Sequence, residues 1–118
     1  DVLQVDLYDQ DAELPVLDTA VFYANCKQLL TENGCMVVNI FGRHSNVKES
    51  AKKIAQLFGD GAVWFFKPTK AGNSIIVALR TQAKPSKHEL AKKAQAIEAR
   101  WPLPATKWLK AFAPFSPN

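Results

Sequence analysis

Two carboxylates follow directly on an apolar stretch near the start of the chain. In VDLYD, Asp6 and Asp9 lie three positions apart with Tyr8 between them. The first 26 residues carry six acids and no Lys or Arg, whereas all 15 basic residues follow from Lys27 onward, against five acids. A cleft lined by one sign of charge concentrates ligands of the other sign. These carboxylates therefore favour a cationic ligand, and the plain alternative is an acidic loop whose Asp side chains hydrogen-bond nearby backbone.

The composition predicts one compact unit with its own core. The chain has 118 residues, of which 47% are hydrophobic and 22% charged, within the range of a single domain. It has no apolar run near the roughly 18 residues of a membrane span and no signal-peptide pattern, so we expect a soluble, cytoplasmic protein. Cys26 and Cys35 are too few for a disulfide framework and have no His at metal-ligand spacing. We therefore expect two free thiols and no metal.

The elements that must position the acids begin with a strand, a helix and a second strand. An apolar run over 2–8 indicates a strand covered on both faces. The next helix should start at Asp18 or Thr19, whose side chains can cap free amides, and should stop at the left-handed turn Asn33-Gly34. CMVVNIF then reads as a second buried strand. The core-facing residues of the helix should be Phe22, Cys26, Leu29 and Leu30.

A second helix and a hairpin complete the predicted sheet. Ser45 or Asn46 should cap the helix and Gly59 should end it. Its core-facing residues should be Val47, Ala51, Ile54 and Phe58. The segments AVWFF and SIIVALR are too close for a crossover helix between them, so they should pair as an antiparallel hairpin. The predicted fold class is therefore α/β, with parallel strands closed by an antiparallel hairpin and helices on both faces.

The remaining residues predict a helical extension over 84–118, packed on a sheet domain over 1–83. Ser86 and Glu89 have the spacing of a capping box at the start of a third helix, and Pro102 and Pro104 should break that helix. ATKWLKAF suggests one more short helix and APFSPN a loose tail. The side chains expected to pack on the sheet from this helix are Leu90, Ala94, Ile97 and Trp101. We also expect Trp101 and Trp108 to cover the core.

Three segments resemble the polyamine aminopropyltransferases, the spermidine synthase group, which share the fold of S-adenosylmethionine-dependent methyltransferases. VDLYD is similar to the family's D-x-x-D at the end of the fourth sheet strand. FYANCKQLLTENG, residues 22–34, is similar to the helix that follows it. PTKAGN, residues 68–73, resembles the P-T-Y-x-x-G loop of the closing hairpin. Order and intervals agree over about eighty residues, so the chain resembles the C-terminal half of a methyltransferase-like Rossmann sheet, strands four to seven.

The resemblance implies a chemistry and a set of roles. A parent of this kind transfers an aminopropyl group from decarboxylated S-adenosylmethionine to a putrescine-like amine. Asp6 would accept the amine's proton and help to hold the cationic donor, while Asp9 and Lys70 would contact the amine substrate. Tyr8 would contact the amine or the adenine, and packing is the alternative for it. The glycine-rich loop and the acidic residue that hold the nucleoside lie in the family's first half. We therefore expect the chain to be inactive alone and to pair, along its first strand, with that half or with a second copy in a homodimer.

Two departures from the family pattern keep other functions open. QDAELP stands where the family has P-x-G-P, which changes the loop that closes over the substrates. Lys70 stands where the hairpin Tyr would be, and a cation there would repel a polyamine. Both changes are compatible with an S-adenosylmethionine-dependent methyltransferase or with a protein that binds the nucleoside without transferring an aminopropyl group. A non-catalytic scaffold is a further alternative, which an interface built on the first strand would support.

A nucleic-acid-binding module is the alternative from a different class. It rests on a pI of about 9.2 and on the basic residues of the C-terminal segment. However, Lys92 and Lys93 fall opposite the apolar stripe of their helix, as solvated residues should, and no aromatic or glycine-rich nucleic-acid motif accompanies them. We therefore expect nucleic acid not to be the partner, and no membrane partner either.

Overall fold

The computed structural model describes residues 1–6, 18–41 and 44–117, with the backbone only for 44–46. Its strands are β1 (Val2–Val5), β2 (Cys35–Phe41), β3 (Val63–Phe66), β4 (Asn73–Leu79) and β5 (Phe112–Pro114). Its helices are α1 (Ala20–Leu29), α2 (His44–Phe58), α3 (Lys87–Arg100) and α4 (Ala105–Trp108). No helix within these ranges has both the length and the apolar character needed to cross a membrane.

The strands form one mixed sheet in the order β1-β2-β4-β3-β5. β1 and β2 are parallel, while the β2-β4, β4-β3 and β3-β5 pairs are antiparallel. The α/β class and the hairpin of β3 and β4 are therefore confirmed, although the sheet is mostly antiparallel. The return strand β4 lies between β2 and β3, which places the carboxyl ends of β1, β2 and β3 and the first residue of β4 along one edge of the sheet.

One face of the sheet is packed and the other is partly open. Side chains alternate between the faces of a strand, and in β2 and β4 every second residue is buried. The buried set includes Met36, Val38, Ile40, Ile76 and Ala78, which pack in one cluster with residues of α1 and α2. Helices α3 and α4 lie against the opposite face, over β3 and β5. The rest of that face, over β1, β2 and β4, carries half-exposed residues.

Helix α1 starts where the sequence predicts and ends earlier. The amide of Phe22 donates to Oγ1 of the N-cap Thr19 at 3.2 Å, so the predicted start is confirmed. The chain becomes extended at Leu30, which turns that side chain into the core and leaves Leu29 73% exposed. The prediction of Leu29 as a core residue is therefore wrong, and Tyr23, 1% exposed, takes its place.

Gly34 does not end α1, which stops four residues before Asn33, at Leu29. Its backbone is not left-handed, since the glycines with positive φ in the described chain are Gly59, Gly61 and Gly72. A side chain at Gly34 would instead meet the side chain of Asp1 and the carbonyl of Thr31. The glycine is needed for this close approach.

In α2 the predicted core stripe is confirmed. Its members Val47, Ala51, Ile54 and Phe58 are all buried. Gly59 has a φ of 95° and ends the helix as expected. The helix begins at His44, so Ser45 and Asn46 lie inside it and neither precedes it as a cap.

The C-terminal residues add a strand that the sequence does not predict. The capping box is confirmed, since Ser86 donates its amide to Glu89 Oε2 at 2.7 Å and Glu89 donates its amide to Ser86 Oγ at 3.2 Å. The expected loose tail is wrong, because Phe112–Pro114 pairs with β3. The ring of Phe112 stacks on Trp64 with centroids 5.0 Å apart, and this aromatic contact explains the pairing.

Trp101 and Trp108 do not cover the core. They are 47% and 41% exposed. The backbone turns extended at Trp101, which is the C-cap of α3, so its side chain leaves the buried stripe of the helix. Its ring lies instead against the Arg100 guanidinium, 4.7 Å from the ring centroid.

Candidate functional site

A cleft of about 440 Å³ opens on the partly open face of the sheet. It lies at the edge where β1, β2 and β3 end and β4 begins. Its apolar lining comes from the middle of the sheet, at Val37, Ile75 and Phe66, and its polar lining is Gln4, Asp6, Asn39, Thr69, Asn73 and Lys67. Side chains alternate between the two faces of a strand. The residues next to these along β2 and β4 point into the packed core, so these residues point to the partly open face.

Three polar side chains from three adjacent strands form a hydrogen-bonded row in this cleft. Nδ2 of Asn73, the first residue of β4, donates to Oδ1 of Asn39 on β2 at 3.1 Å. Nδ2 of Asn39 in turn donates to Oδ1 of Asp6, which follows β1, at 3.1 Å. Asp6 comes opposite Asn39, whereas Asn73 pairs with Phe41, two residues farther along β2, so the row runs diagonally from β2 to β4.

The chemistry of Asp6 fixes the direction of this row. An ionised carboxylate only accepts hydrogen bonds, so Asn39 must turn its NH₂ group toward Asp6. The carbonyl oxygen of Asn39 then faces Asn73, which must likewise present its NH₂ group. Both amides are thereby oriented, and Asp6 holds the end of the row as an exposed carboxylate at the mouth of the cleft.

The hairpin loop over 68–73 is held in a compact turn at the same edge. The Thr69 amide donates to the Asn73 carbonyl at 2.9 Å, and the Gly72 amide donates to the Thr69 carbonyl at 3.0 Å. Gly72 has a φ of 93°, and a Cβ there would lie 3.2 Å from the ring of Phe41, so the turn requires glycine. This turn places Thr69 and Asn73 on the wall of the cleft.

The structure brings some of the predicted site residues together. Asp6 lines the cleft. Lys70 is exposed in the turn of the hairpin loop and is not among the lining residues. Asp9 and Tyr8 lie outside the described residues.

Sequence reasoning missed Lys67, Asn39 and Thr69. An Asn inside the apolar run CMVVNIF was a usable signal, because Asn is depleted in strands and would be costly in a fully buried one. Lys67 carried no such signal, since nothing in KPTK distinguishes the first lysine from the second.

A second, larger groove of about 630 Å³ lies between α3, the α4 end and β5. Its lining includes Trp64, Leu90, Leu109 and Phe112, with Lys87 and Lys110 among the polar groups. It contains no carboxylate, amide or hydroxyl side chain from the described part of the chain. The groove therefore offers no general base, and the cleft at Asp6 is the better candidate for chemistry.

Neither site is built like a metal centre. No group of three His, Cys, Asp or Glu side chains suited to hold a metal ion occurs within residues 1–6, 18–41 and 44–117. In the part of the chain that the structure describes, the cleft lining contains one carboxylate, Asp6, together with neutral amides, a hydroxyl and Lys67.

Comparison with known proteins adds no relative. No protein-family model, no curated protein and no solved structure matches this chain. The function must therefore be inferred from the geometry of the cleft and from the chemistry of its residues.

Proposed function

We propose that this chain is the amine-binding half of a spermidine synthase-like transferase. The observation that carries the proposal is the meeting of two distant segments at one cleft. Asp6 follows β1, whereas Thr69 and Asn73 belong to the hairpin loop, and all three line the same space. These are two of the three segments on which the resemblance rests, and the third forms α1, under the packed face.

The proposed reaction transfers an aminopropyl group from decarboxylated S-adenosylmethionine to the amine. The amine nitrogen must first lose a proton so that its lone pair can attack, and Asp6 is the base that accepts this proton. The new N–C bond forms at the aminopropyl carbon next to sulfur while the C–S bond breaks. Its electron pair stays on sulfur, which changes from a sulfonium to a neutral thioether, and Asp6 passes the proton to water.

The position of Asp6 suits this role. It follows the carboxyl end of a parallel strand, and ligands of open α/β sheets bind at such ends. Asn39 engages Oδ1 of the carboxylate, so Oδ2 is the oxygen that takes the proton. The carboxylate also provides a negative charge where a sulfonium and an ammonium must approach each other.

We propose that the site is completed along β1. The resemblance assigns this chain the second half of a Rossmann-like sheet, and the nucleoside would bind in the first half. β1 is an edge strand of the sheet and pairs only with β2 among the described strands. Such an edge is a template for another strand, either from that first half or from a second copy of the chain.

The first test is binding of simple amines to this chain by calorimetry, with Asp6→Asn as the variant. We expect Asp6→Asn to abolish detectable amine binding, and in the complete gene product to lower aminopropyl transfer by about two to four orders of magnitude. Asp60→Asn is the matched control, because Asp60 lies in the turn after α2, outside the cleft. A turnover change below threefold would remove Asp6 from the role of base.

The donor is tested separately, by titrating the complete gene product with decarboxylated and with intact S-adenosylmethionine. Tighter binding of the decarboxylated compound supports aminopropyl transfer. Tighter binding of the intact compound would replace it with methyl transfer at the same carboxylate. The pairing of β1 is tested by light scattering, in which a monomeric mass unaffected by Val2→Lys would exclude a homodimer built on this edge.

A further inference from the structure

Among the described residues, the lining of the cleft carries one charge of each sign, and the two follow different strands. Asp6, after β1, is the carboxylate and Lys67, after β3, is the cation. A plain diamine is a cation at both ends, so it would satisfy Asp6 and be repelled by Lys67. From this pairing of charges, which rests on the proposed function, we infer that the acceptor is an ω-amino acid, with its amine at Asp6 and its acid group at Lys67.

The strand register places Asp6 at one end of a cross-strand line of paired residues and Lys67 one residue beyond its other end. Val5 pairs with Val38, so Asp6 comes opposite Asn39, Asn39 pairs with Ile75, and Ile75 pairs with Phe66. Lys67 follows Phe66 directly. This cross-strand line therefore runs across β1, β2, β4 and β3, and three strand spacings separate its ends by about 14 Å.

The length of this line sets the length of the ligand. Alternation turns the Cβ of Lys67 away from the face that Phe66 lines, but Lys67 is exposed after the end of β3 and lines the cleft, so the strand spacings give the approximate separation of the charged ends. A hydrogen bond of about 3 Å at each end leaves roughly 8 Å between the ligand's amine nitrogen and its acid group. Extended chains of four or five methylene groups span this distance, as in 5-aminopentanoate.

The floor between the two charges suits a methylene chain. Val37, Ile75 and Phe66 line the middle of the cleft, and all three are half-buried. Covering such surface with CH₂ groups is favourable, because it removes apolar area from water. The polar groups lie around this apolar strip, as expected for a ligand with charged ends and an apolar middle.

Lys67 is available for this role. Its amide donates to the Ala111 carbonyl at 2.9 Å, which fixes its backbone at the start of the hairpin loop. Neither of the two salt bridges in the described part of the chain involves it. Its side chain is exposed, so the attraction it exerts is moderate and depends on salt.

The test compares three ligands that share a five-carbon chain and differ at one end. 5-Aminopentanoate, 1,5-diaminopentane and pentylamine all carry the same amine, followed by a carboxylate, an ammonium or a methyl group. Calorimetry on the chain at low ionic strength should show 5-aminopentanoate binding roughly tenfold more tightly than 1,5-diaminopentane, because the far end changes from attraction to repulsion. Pentylamine should fall between them.

The lysine variants assign the effect to one residue. Lys67→Met should remove the preference for the acid and Lys67→Glu should reverse it in favour of the diamine. Lys70→Met is the matched control, an exposed lysine of the same loop outside the cleft, and should leave the preference unchanged. If Lys70→Met removes the preference and Lys67→Met does not, the assignment to Lys67 is wrong.

The outcomes separate this inference from the proposed function. If 1,5-diaminopentane binds at least as tightly as 5-aminopentanoate and Asp6→Asn abolishes both, the amine site stands and the ω-amino acid is overturned. If none of the three ligands binds, or if Asp6→Asn leaves their affinities unchanged, the amine site itself falls and the inference falls with it.

Discussion

Asp6 owes its orientation to two amides that are remote in sequence. Asn39 donates to its carboxylate and Asn73 donates to Asn39, so each amide has a defined direction. A chain of hydrogen bonds of this kind is polarised along its length, and the donor at its end holds one carboxylate oxygen in place. At the scale of single residues, the site is therefore a positioned acceptor.

Asn39→Leu tests this positioning. Leucine is close to asparagine in size, but it removes the donor to Asp6 and leaves the Asn73 amide without its acceptor. A hydrogen bond to a charged group contributes about 1.5–3 kcal/mol, and less at an exposed site such as this one. We expect the affinity for 5-aminopentanoate to fall roughly threefold to tenfold in calorimetry.

The control for this variant is Asn33→Leu, in the exposed turn before β2. It should leave the affinity unchanged. Equal affinities for Asn39→Leu and the unmodified chain would show that Asp6 needs no support from Asn39.

The sequence predicts Asp6 because its position depends on a local pattern, and misses Lys67 because its position depends on tertiary structure. Asp6 follows a strand whose apolar run is visible in the sequence, so its place at a strand end can be derived. Which of the two lysines, Lys67 or Lys70, lines the cleft depends on the turn made by Thr69 and Gly72. In that turn Gly72 lies close to the Phe41 ring, which is a tertiary contact. No local pattern in KPTKAGN encodes that contact.

At the scale of elements, one half-buried polar network joins α1 to α2. Asp18, just before α1, forms a 2.8 Å ion pair with Lys53 on α2, and the Tyr23 hydroxyl donates to it at 2.7 Å. Burial by itself raises the pKa of Asp18. Hydrogen bonds from Lys53, Tyr23 and Ser50, with the Lys53 charge, outweigh burial and hold this pKa below its usual value of 3.8.

Asp18→Asn should destabilise the chain at pH 7 by about 1–3 kcal/mol, the usual cost of losing a charged partner in such a network. The folded-state pKa is depressed, so the stabilisation by Asp18 is complete above about pH 4 and is lost as pH falls through the folded-state pKa. Urea unfolding at pH 7 and at low pH measures this. The difference between the two chains should shrink as the solution is acidified.

The exposed pair Lys52–Glu49 provides the control. Its atoms are 3.2 Å apart but the Glu49 side chain is 64% exposed, so Glu49→Gln should cost less than about 1 kcal/mol at pH 7. A loss as large as that of Asp18→Asn would show that burial does not distinguish the two pairs.

Element boundaries were predictable where a side chain caps the backbone nearby. Thr19 and Ser86 bond amides three residues ahead, and this interaction is local. The end of α1 was not predictable, because Leu30 leaves the helix to join a core built from distant strands. The strand β5 was not predictable either, because its partner β3 lies more than forty residues away.

At the scale of the whole molecule, the two faces of the sheet differ in packing. Its packed face carries the main core with α1 and α2, while its partly open face carries the cleft. The sequence predicted the apolar strands, but nearly uniform apolar runs such as SIIVALR did not reveal which face would be covered. That choice follows from where the helices pack.

Ile75 and Ile76 allow the two faces to be tested with one kind of change. Ile76 is fully buried in the core, at 0% exposed, so Ile76→Ala should cost about 2–5 kcal/mol in urea unfolding. Ile75 is half-buried and lines the cleft, so Ile75→Ala should cost about 1 kcal/mol. Ile75→Ala should weaken ligand binding more than Ile76→Ala, because of these two residues only Ile75 would contact the proposed methylene chain.

The comparison is made by calorimetry with 5-aminopentanoate under conditions where circular dichroism shows both variants folded. We expect Ile75→Ala to weaken binding severalfold and Ile76→Ala to leave it within twofold. Equal effects on affinity would mean that the two faces are not independent, since a defect in the core would then reach the cleft through the strand that they share. A larger loss of affinity for Ile76→Ala would place the ligand elsewhere.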